Sequence, residues 1–597
     1  MRWGKFCVFS AMSLLAVYEI ANAAEIVFNT PGADRDLRVA LASSSLLIQA
    51  RNDNIEDSQE LVAAARADYG RMLGVLYDAG RFSGVISILV DGREAAAIPP
   101  LAAPAEIARI QVEVNPGPLF RFSEATVRPL PPRAELPETF AVGQPARTGA
   151  IRDAATVAID SWRLEGHAKA RVSDQRIVAR HDQRRLSARL TVEPGPALRF
   201  GEVTVSGNKD VRTGRIHTIA GLEDGQEFDP EEIARAERRL RRTGSFRSVV
   251  VEEADDIEAN DTLPLHIAVV EQTPRRFGFG AEYATIDGGR LIGFWLHRNF
   301  LGGAERFRVD AEAAGIGGQT GGVDYSLGVR YERPATPRAD VDLFAEFGIE
   351  RLEEPDFTSN IGDFTLGFTR YATDHLTVDF GLGYLFSEVD DDFGFETYSL
   401  LTLPLGATLD RRDNPLNPTR GVFVDLEATP FIGMDESANG AQIKLDTRGY
   451  KTFGDARPVT AALRLQLGSI VGPDLLESPP FYRFYSGGGG TVRGQGYQSL
   501  AIDLGGGTRS GGLSFAGLSA EARVSLTDAI SVVGFYDWGY VGEESFPDGS
   551  GGSHSGAGIG LRYDTGIGPI RFDLATPVSG DTGSSSYYIY VGIGQAF

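Results

Sequence analysis

A 597-residue chain with 81 acidic against 58 basic side chains carries a formal charge of -23, which repels a phosphate backbone and excludes a nucleic-acid binder. Its 72 glycines, 19 tyrosines and moderate hydrophobicity fit a barrel with a polar lumen and acidic loops. Cysteine occurs once, as Cys7 in the apolar N-terminal segment, so thiolate and disulfide chemistry are excluded from everything after it.

Arg2 and Lys5 precede the apolar run Phe6 to Val17 and then Ala21-Asn22-Ala23, the form of a signal peptide cleaved before Ala24. The mature chain is expected to be exported. No later segment offers the run of about 18 apolar residues that a membrane helix needs, so any membrane span has to be built from strands.

From Ala24 to about Thr273, helical stretches alternate with strand pairs, and the arrangement occurs three times, with expected modules at 24–116, 117–195 and 196–273. The junctions VEVNPGPLFRFSEATV (112–127) and LTVEPGPALRFGEVTV (190–205) are alike, each broken by Pro-Gly-Pro, which ends one strand and turns the chain into the next. The third module predicts a helix with Asp229 as N-cap, Pro230 in its first turn, Glu232 at the capping-box position and Gly244 past its end. Ile233, Ala236 and Leu240 would face its core. Arg235, Arg238, Arg239 and Arg242 would form the opposite face, read ordinarily as solvated and alternatively as a contact for anionic lipid or a partner.

After Phe277 the period changes to two, and sixteen candidate strands follow, giving an expected barrel over 274–597. Val341, Leu343, Ala345, Phe347 and Ile349 alternate with Asp342, Phe344, Glu346, Gly348 and Glu350. The charged set must face the lumen, because Arg or Lys on the lipid face costs about 2 to 4 kcal/mol at mid-membrane. With the first strand rising from the periplasm, connections after even strands should be short and periplasmic. Those after odd strands should be longer and external, including the acidic 388–393 and a long loop at about 471–510. The final alternation, Tyr587 to Phe597, closes the barrel against Phe277 to Ala284.

Catalytic signals are missing. The seven histidines are scattered, with no H-E-x-x-H spacing and no G-x-S-x-G elbow, so no enzyme, cofactor or metal is expected. Asp390-Asp391-Asp392 reads as a solvated acidic loop. The glycine run at 487–490 lacks the lysine and hydroxyl of a phosphate loop. Those glycines instead allow a tight fold that doubles back into a barrel. Arg493 would then descend into the lumen, where the strand phase also points Glu521 and Asp537.

Five motifs carry a family resemblance: GGGGTVRG (487–494), FYDWG (535–539), GAGIGLRYDTGIGPIRFDLATP (556–577), RNFLG (298–302) and DNPLNPTRG (413–421). Together they resemble the outer-membrane protein assembly and polypeptide-translocation superfamily, whose members join periplasmic polypeptide-transport-associated (POTRA) domains to a barrel. The resemblance implies three α+β POTRA modules followed by a 16-stranded antiparallel transmembrane β-barrel in the cell outer membrane. Three modules look most like the TamA branch, since the BamA branch usually carries five and two-partner secretion transporters two.

The resemblance further implies that the loop is tethered to the barrel wall through Arg493 and Gly494 on Asp537 and, less directly, Glu521. It implies unfolded outer-membrane protein or autotransporter substrates, contact with outer-membrane lipid, and a TamB-like inner-membrane-anchored periplasmic partner. Gly278, Gly280, Gly592, Gly594 and the terminal Phe597 fall at the seam between first and last strands. The glycines there read either as a weakly paired edge that templates another strand or as relief of crowding in a small lumen. The alternatives to an assembly factor are a two-partner-secretion type transporter, for which 34–49 is a candidate plug helix, and a passive porin or receptor.

Overall fold

Proline and glycine divide the N-terminal region as their backbone limits require. Strands end at Asn115 and Glu193, just before each Pro-Gly-Pro, and Gly117 (φ +66°) and Gly195 (φ +72°) turn the chain. The computed structural model describes residues 24–597 apart from 100, 101, 320, 436, 455–457, 528, 567, 581–586, 594, 596 and 597. The signal segment 1–23 and the seam residues Gly594 and Phe597 lie outside the described residues.

The first module has a sheet in which Glu25–Asn29 lies parallel to Arg109–Asn115, and Val85–Val90 pairs antiparallel on the other side. Helices Arg35–Ser44, Leu46–Asn52 and Ser58–Asp78 bury Leu41, Leu47, Leu61 and Met72 against Ile88 and Ile110. The candidate plug segment 34–49 is therefore part of this core. In the second module Arg121–Arg128, Arg185–Glu193 and Arg171–Arg180 carry the helix Thr148–Leu164 over Phe120, Phe122 and Leu186. The third pairs Arg199–Ser206, Thr262–Glu271 and Phe246–Glu253 beneath helices α1 (Thr213–Ala220) and α2 (Pro230–Arg242). The first two modules form one compact unit. Nearly all of the third belongs with the barrel in another.

The barrel strands are β1 (Arg275–Ala284), β2 (Gly288–His297), β3 (Arg306–Ile316), β4 (Asp324–Arg333), β5 (Val341–Glu353), β6 (Phe357–Tyr371), β7 (Leu376–Asp391), β8 (Gly394–Thr402 with Leu405–Asp410), β9 (Gly421–Gly433), β10 (Gly440–Phe453), β11 (Val459–Val471), β12 (Ser514–Ser525), β13 (Ile530–Gly542), β14 (Gly552–Tyr563), β15 (Ile570–Ser579) and β16 (Tyr588–Ile593). Each pairs with the next, and β16 returns to β1, so sixteen antiparallel strands close the wall. β8 breaks at Leu403-Pro404, where proline has no N–H to donate, and Leu403 N bonds instead to Pro430 O at 2.9 Å.

Side-chain parity follows the sequence. In β5 Phe347 and Ile349 are exposed outward while Phe344 is buried inside; in β14 Ile559, Leu561 and Tyr563 point out and Arg562 in. Loop lengths follow the expectation only in part: the external connection 472–513 is long and the periplasmic 372–375 short, but other turns reverse the rule. The external turns at 285–287, 354–356 and 392–393 are shorter than the periplasmic 411–420, because β6, β7 and β8 run on past the membrane band. The supposed acidic loop 388–393 is mostly strand, with Asp390 and Asp391 inside β7. Orientation is set instead by the third module, which joins the barrel at the Arg275 end of β1.

Candidate functional site

The long external connection, 472–513, folds back into the lumen, and glycines decide where it can lie. Gly494 has φ +90°, and a Cβ there would sit 2.6 Å from Thr576 O of β15; one on Gly556 of β14 would sit 2.0 Å from Arg493 O. Only bare backbone lets the loop touch both strands.

Arg493, 3% exposed, is thereby delivered into a cluster of charges. Its Nε and Nη2 donate to the two oxygens of Asp537 on β13 at 2.7 and 3.0 Å, and its backbone N donates to Asp537 Oδ2 at 3.2 Å. Nη1 donates to Glu521 Oε1 on β12 at 2.7 Å and to Asp573 Oδ2 on β15 at 3.3 Å. The guanidinium carbon lies 3.6 Å from the centroid of the Phe535 ring, a cation–π contact. The planar fork thus engages three strands at once.

The structure brings together Arg493, Gly494, Asp537 and Glu521, and adds residues that sequence reasoning did not single out. Arg523 donates to Glu521 Oε2 at 2.9 Å, and Arg562 pairs with Asp573. Three carboxylates therefore meet three guanidiniums, almost all out of contact with solvent. Glycine at 560 makes room, since a Cβ there would fall 2.0 Å from Asp573 Oδ1. The inward phase of Arg562 and Asp573 was the available signal; their convergence on Arg493 depends on register between distant strands.

Further contacts attach the loop to both sides of the seam. Gly494 N donates to Tyr590 OH of β16 at 3.2 Å, and Gly489 N to Asp287 Oδ2 in the β1–β2 turn at 3.1 Å. Tyr497 OH donates to Glu354 at 2.9 Å in the β5–β6 turn. Burial first, and then the nearby Asp324 charge, push the Glu354 carboxyl up to about 7.

Among the described residues the seam is short. β1 and β16 pair at Tyr283 with Val591 and Ala284 with Tyr590, whereas β1 and β2 pair along ten residues from Arg275 to Ala284. Among the described residues, 275–282 thus have no ladder partner on the seam side, and Phe277 and Phe279 are 64% and 87% exposed. The seam glycines differ. Gly278 is overlain by the Phe294 ring, 2.1 Å from where a Cβ would be; Gly592 has Arg571 and Glu282 each 3.4 Å away; Gly280 is open, with Ile292 alone at 3.9 Å. Crowding relief describes Gly278, and an unpacked edge describes Gly280. Past β16, Gln595 turns inward, accepting from Arg562 Nε at 3.0 Å and donating to Asn417 at 2.9 Å.

At the periplasmic face, the arginine side of α2 docks on barrel turns, which corrects the solvated-face expectation. Arg239, 8% exposed, donates to both oxygens of Asp340 at 2.9 and 2.6 Å and to Ala220 O at 2.9 Å. Arg242 lies 3.6 Å from the Tyr371 ring centroid, and Arg238 pairs with Asp374 at 3.0 Å. The hydrogen bonds from Arg239, more than its charge, hold the Asp340 carboxyl below its ordinary range. Arg235 instead pairs within its own helix, with Glu232 at 2.8 Å.

Comparison with known proteins places this architecture. Residues 198–272 match the POTRA domain described as a surface antigen variable number repeat. The outer membrane protein assembly factor BamA of Nitratidesulfovibrio vulgaris is 24% identical over 400 residues, covering 64% of this chain and 48% of that protein, so the chain spans about half the length of that relative. Among solved structures, BamA from Haemophilus ducreyi lacking POTRA domains 1–3 superposes with a TM-score of 0.60 at 16% identity, covering 79% of this chain and all of that one. CdiB from Acinetobacter baumannii gives a TM-score of 0.53 at 13% identity, covering 80% and 90%. At these identities the structural likeness is one of fold. Residues 299–597 match the Omp85 superfamily domain, and the chain, an outer-membrane barrel with periplasmic POTRA modules, belongs to the Omp85 superfamily.

Proposed function

We propose that this protein receives unfolded polypeptides in the periplasm and promotes their insertion into, or translocation across, the outer membrane, with the β1 edge as the working surface. The observation that carries the reading is the seam, with two ladder pairs among the described residues against ten on the other side of the same strand. An edge with free N–H and C=O groups is a template for another chain's strand. Client strands, from outer-membrane proteins or autotransporters, pair with residues 275–282 while the loop, held by Arg493 on Asp537 and Glu521, keeps the wall beside the seam in shape. Folding and burial of the client supply the free energy.

Three modules favour the TamA-type role over the BamA-type one, with a TamB-like periplasmic protein docking on the POTRA region. A two-partner-secretion transporter is the weaker reading, because its candidate plug segment buries Leu41 and Leu47 in the first module. A passive porin is weaker still, since the inward loop occupies the lumen.

The test replaces Tyr283 and Val591, which are direct ladder partners, with cysteine. An oxidised seam should stop client assembly and a reduced one should restore it, with low single-channel conductance in both states. Undiminished client assembly through the locked seam would overturn the reading.

A further inference from the structure

The periplasmic ends of β8, β9 and β10 treat their two faces differently. On the lumen side the described guanidiniums are matched: Arg412 with Asp410 at 2.7 Å, and Arg448 and, from neighbouring β11, Arg464 with Asp446 at 2.6 and 2.8 Å. The opposite parity carries the outward apolar residues Leu405, Val422, Leu426, Ile443 and Phe453, and it ends in Arg411, Arg420 and Lys451, all exposed.

These three cations are neighbours. Arg411 N donates to Val422 O at 2.8 Å, so β8 continues through it beside β9. The β9–β10 ladder ends with Gly421 opposite Tyr450, which makes Arg420 and Lys451 the next facing residues, and Thr452 Oγ1 donates to Thr419 O at 2.8 Å beside them. Strands lie about 4.8 Å apart and residues about 3.4 Å along them, so Arg420 and Lys451 face each other directly and Arg411, two strands and two residues from Lys451, lies roughly 12 Å from it at the backbone, within reach of long side chains. Among the described residues none of the three forms an ion pair. Among the described residues the carboxylate of this turn, Asp413, accepts from the backbone N–H groups of Asn414, Thr419 and Arg420 at 3.0, 2.9 and 3.3 Å and is committed to the turn.

Like charges facing each other across strands destabilise a sheet unless an anion lies between them. Arg420 and Lys451 line an open groove of about 680 Å3 with Asp413, Thr419, Tyr450 and Thr452. It stands where the apolar outer band stops at the periplasmic boundary, with Leu416 and Phe453 exposed alongside. Lipid phosphates lie at this level, and long cationic side chains reach them along an apolar surface.

We infer that Arg411, Arg420 and Lys451 form a binding site for the headgroup of an anionic phospholipid in the periplasmic leaflet. The acyl chains lie on the outward faces of β8 to β10, and the headgroup phosphate sits among the three positive charges. The site is independent of the seam and of the client reading.

The experiment titrates the full-length protein in detergent with phosphatidylglycerol, phosphatidylcholine or inorganic phosphate and counts bound ligand by native mass spectrometry. A triple R411Q/R420Q/K451Q variant should need at least about tenfold more phosphatidylglycerol for half-saturation, while R411K/R420K stays near wild type and phosphatidylcholine binding is unchanged throughout. K451Q alone should give a partial loss, of about threefold, and covers the case in which the triple variant does not fold, judged by heat-modifiable migration. Phosphatidylglycerol binding by the triple variant within twofold of wild type would overturn the site. So would displacement of the lipid by millimolar inorganic phosphate, which would mean a site for free anions.

Discussion

Replacing Arg493 with alanine removes the one group shared by Asp537, Glu521 and Asp573. The loss is uneven. Glu521 keeps Arg523 and Asp573 keeps Arg562, but Asp537 has no other ion pair among the described residues and is 1% exposed. Orphaning a buried charge costs on the order of 3 to 5 kcal/mol, less where lumen water reaches it. The strand ladders do not depend on the loop, so the cost appears as local opening of 472–513 rather than as collapse of the barrel. About 3 kcal/mol corresponds to roughly a hundredfold rise in the open population. Val492, fully buried beside Arg493, reports it: in a Val492→Cys background, maleimide labelling should accelerate by about two orders of magnitude in R493A. Adding D537N removes the orphaned carboxylate and should recover about tenfold of that loss. Labelling of R493A within threefold of the parent would refute the view that this network holds the loop.

Gly494→Ala places a methyl 2.6 Å from Thr576 O at φ +90°, and the same labelling assay should show opening comparable to R493A despite an intact ion network. Asp340 is held below its ordinary value by Arg239, so its contribution to docking of the third module is complete above about pH 4 and is lost as pH falls below that. Crosslinking between α2 and the β4–β5 turn should weaken in acid, and D340N should be weak at every pH. Glu354, pushed up to about 7, behaves oppositely: its contribution is complete below its ordinary 4.5 and is lost as pH rises through 7. Limited proteolysis of 498–508 should therefore quicken from pH 6 to 8, and E354Q should abolish that dependence.

Parity was legible in the sequence because a charge facing lipid is costly, and parity alone put Asp537 and Glu521 inside. Partner choice was not. Arg493 reaches Asp573 across 80 residues of chain, and only strand register and the glycines at 494, 556 and 560 determine that meeting. The periodicity of α2 gave its arginine face but not the barrel turns that cover it. The loop-length expectation failed at some turns because alternation continues through Asp391 without marking where the membrane ends. The break at Leu403-Pro404 has a sequence signal, a proline within a strand, but its bridging partner Pro430 is set by register.

The barrel wall is of uneven height. β6 and β7 contain 15 and 16 residues, whereas β1 contains 10 and the described part of β16 contains 6. At about 3.4 Å per residue and a tilt near 40°, β7 rises roughly 40 Å and β1 roughly 26 Å. The apolar band of an outer-membrane barrel is about 25 Å tall, so β7 overtops it and β1 only just spans it. The flank with the short described seam therefore has the least height to spare, and a thicker bilayer is strained there first, at fractions of a kcal/mol per Å of mismatch. Under the proposed seam reading a new strand enters at the flank where the match is tightest, and lipids with longer chains should raise the strain there.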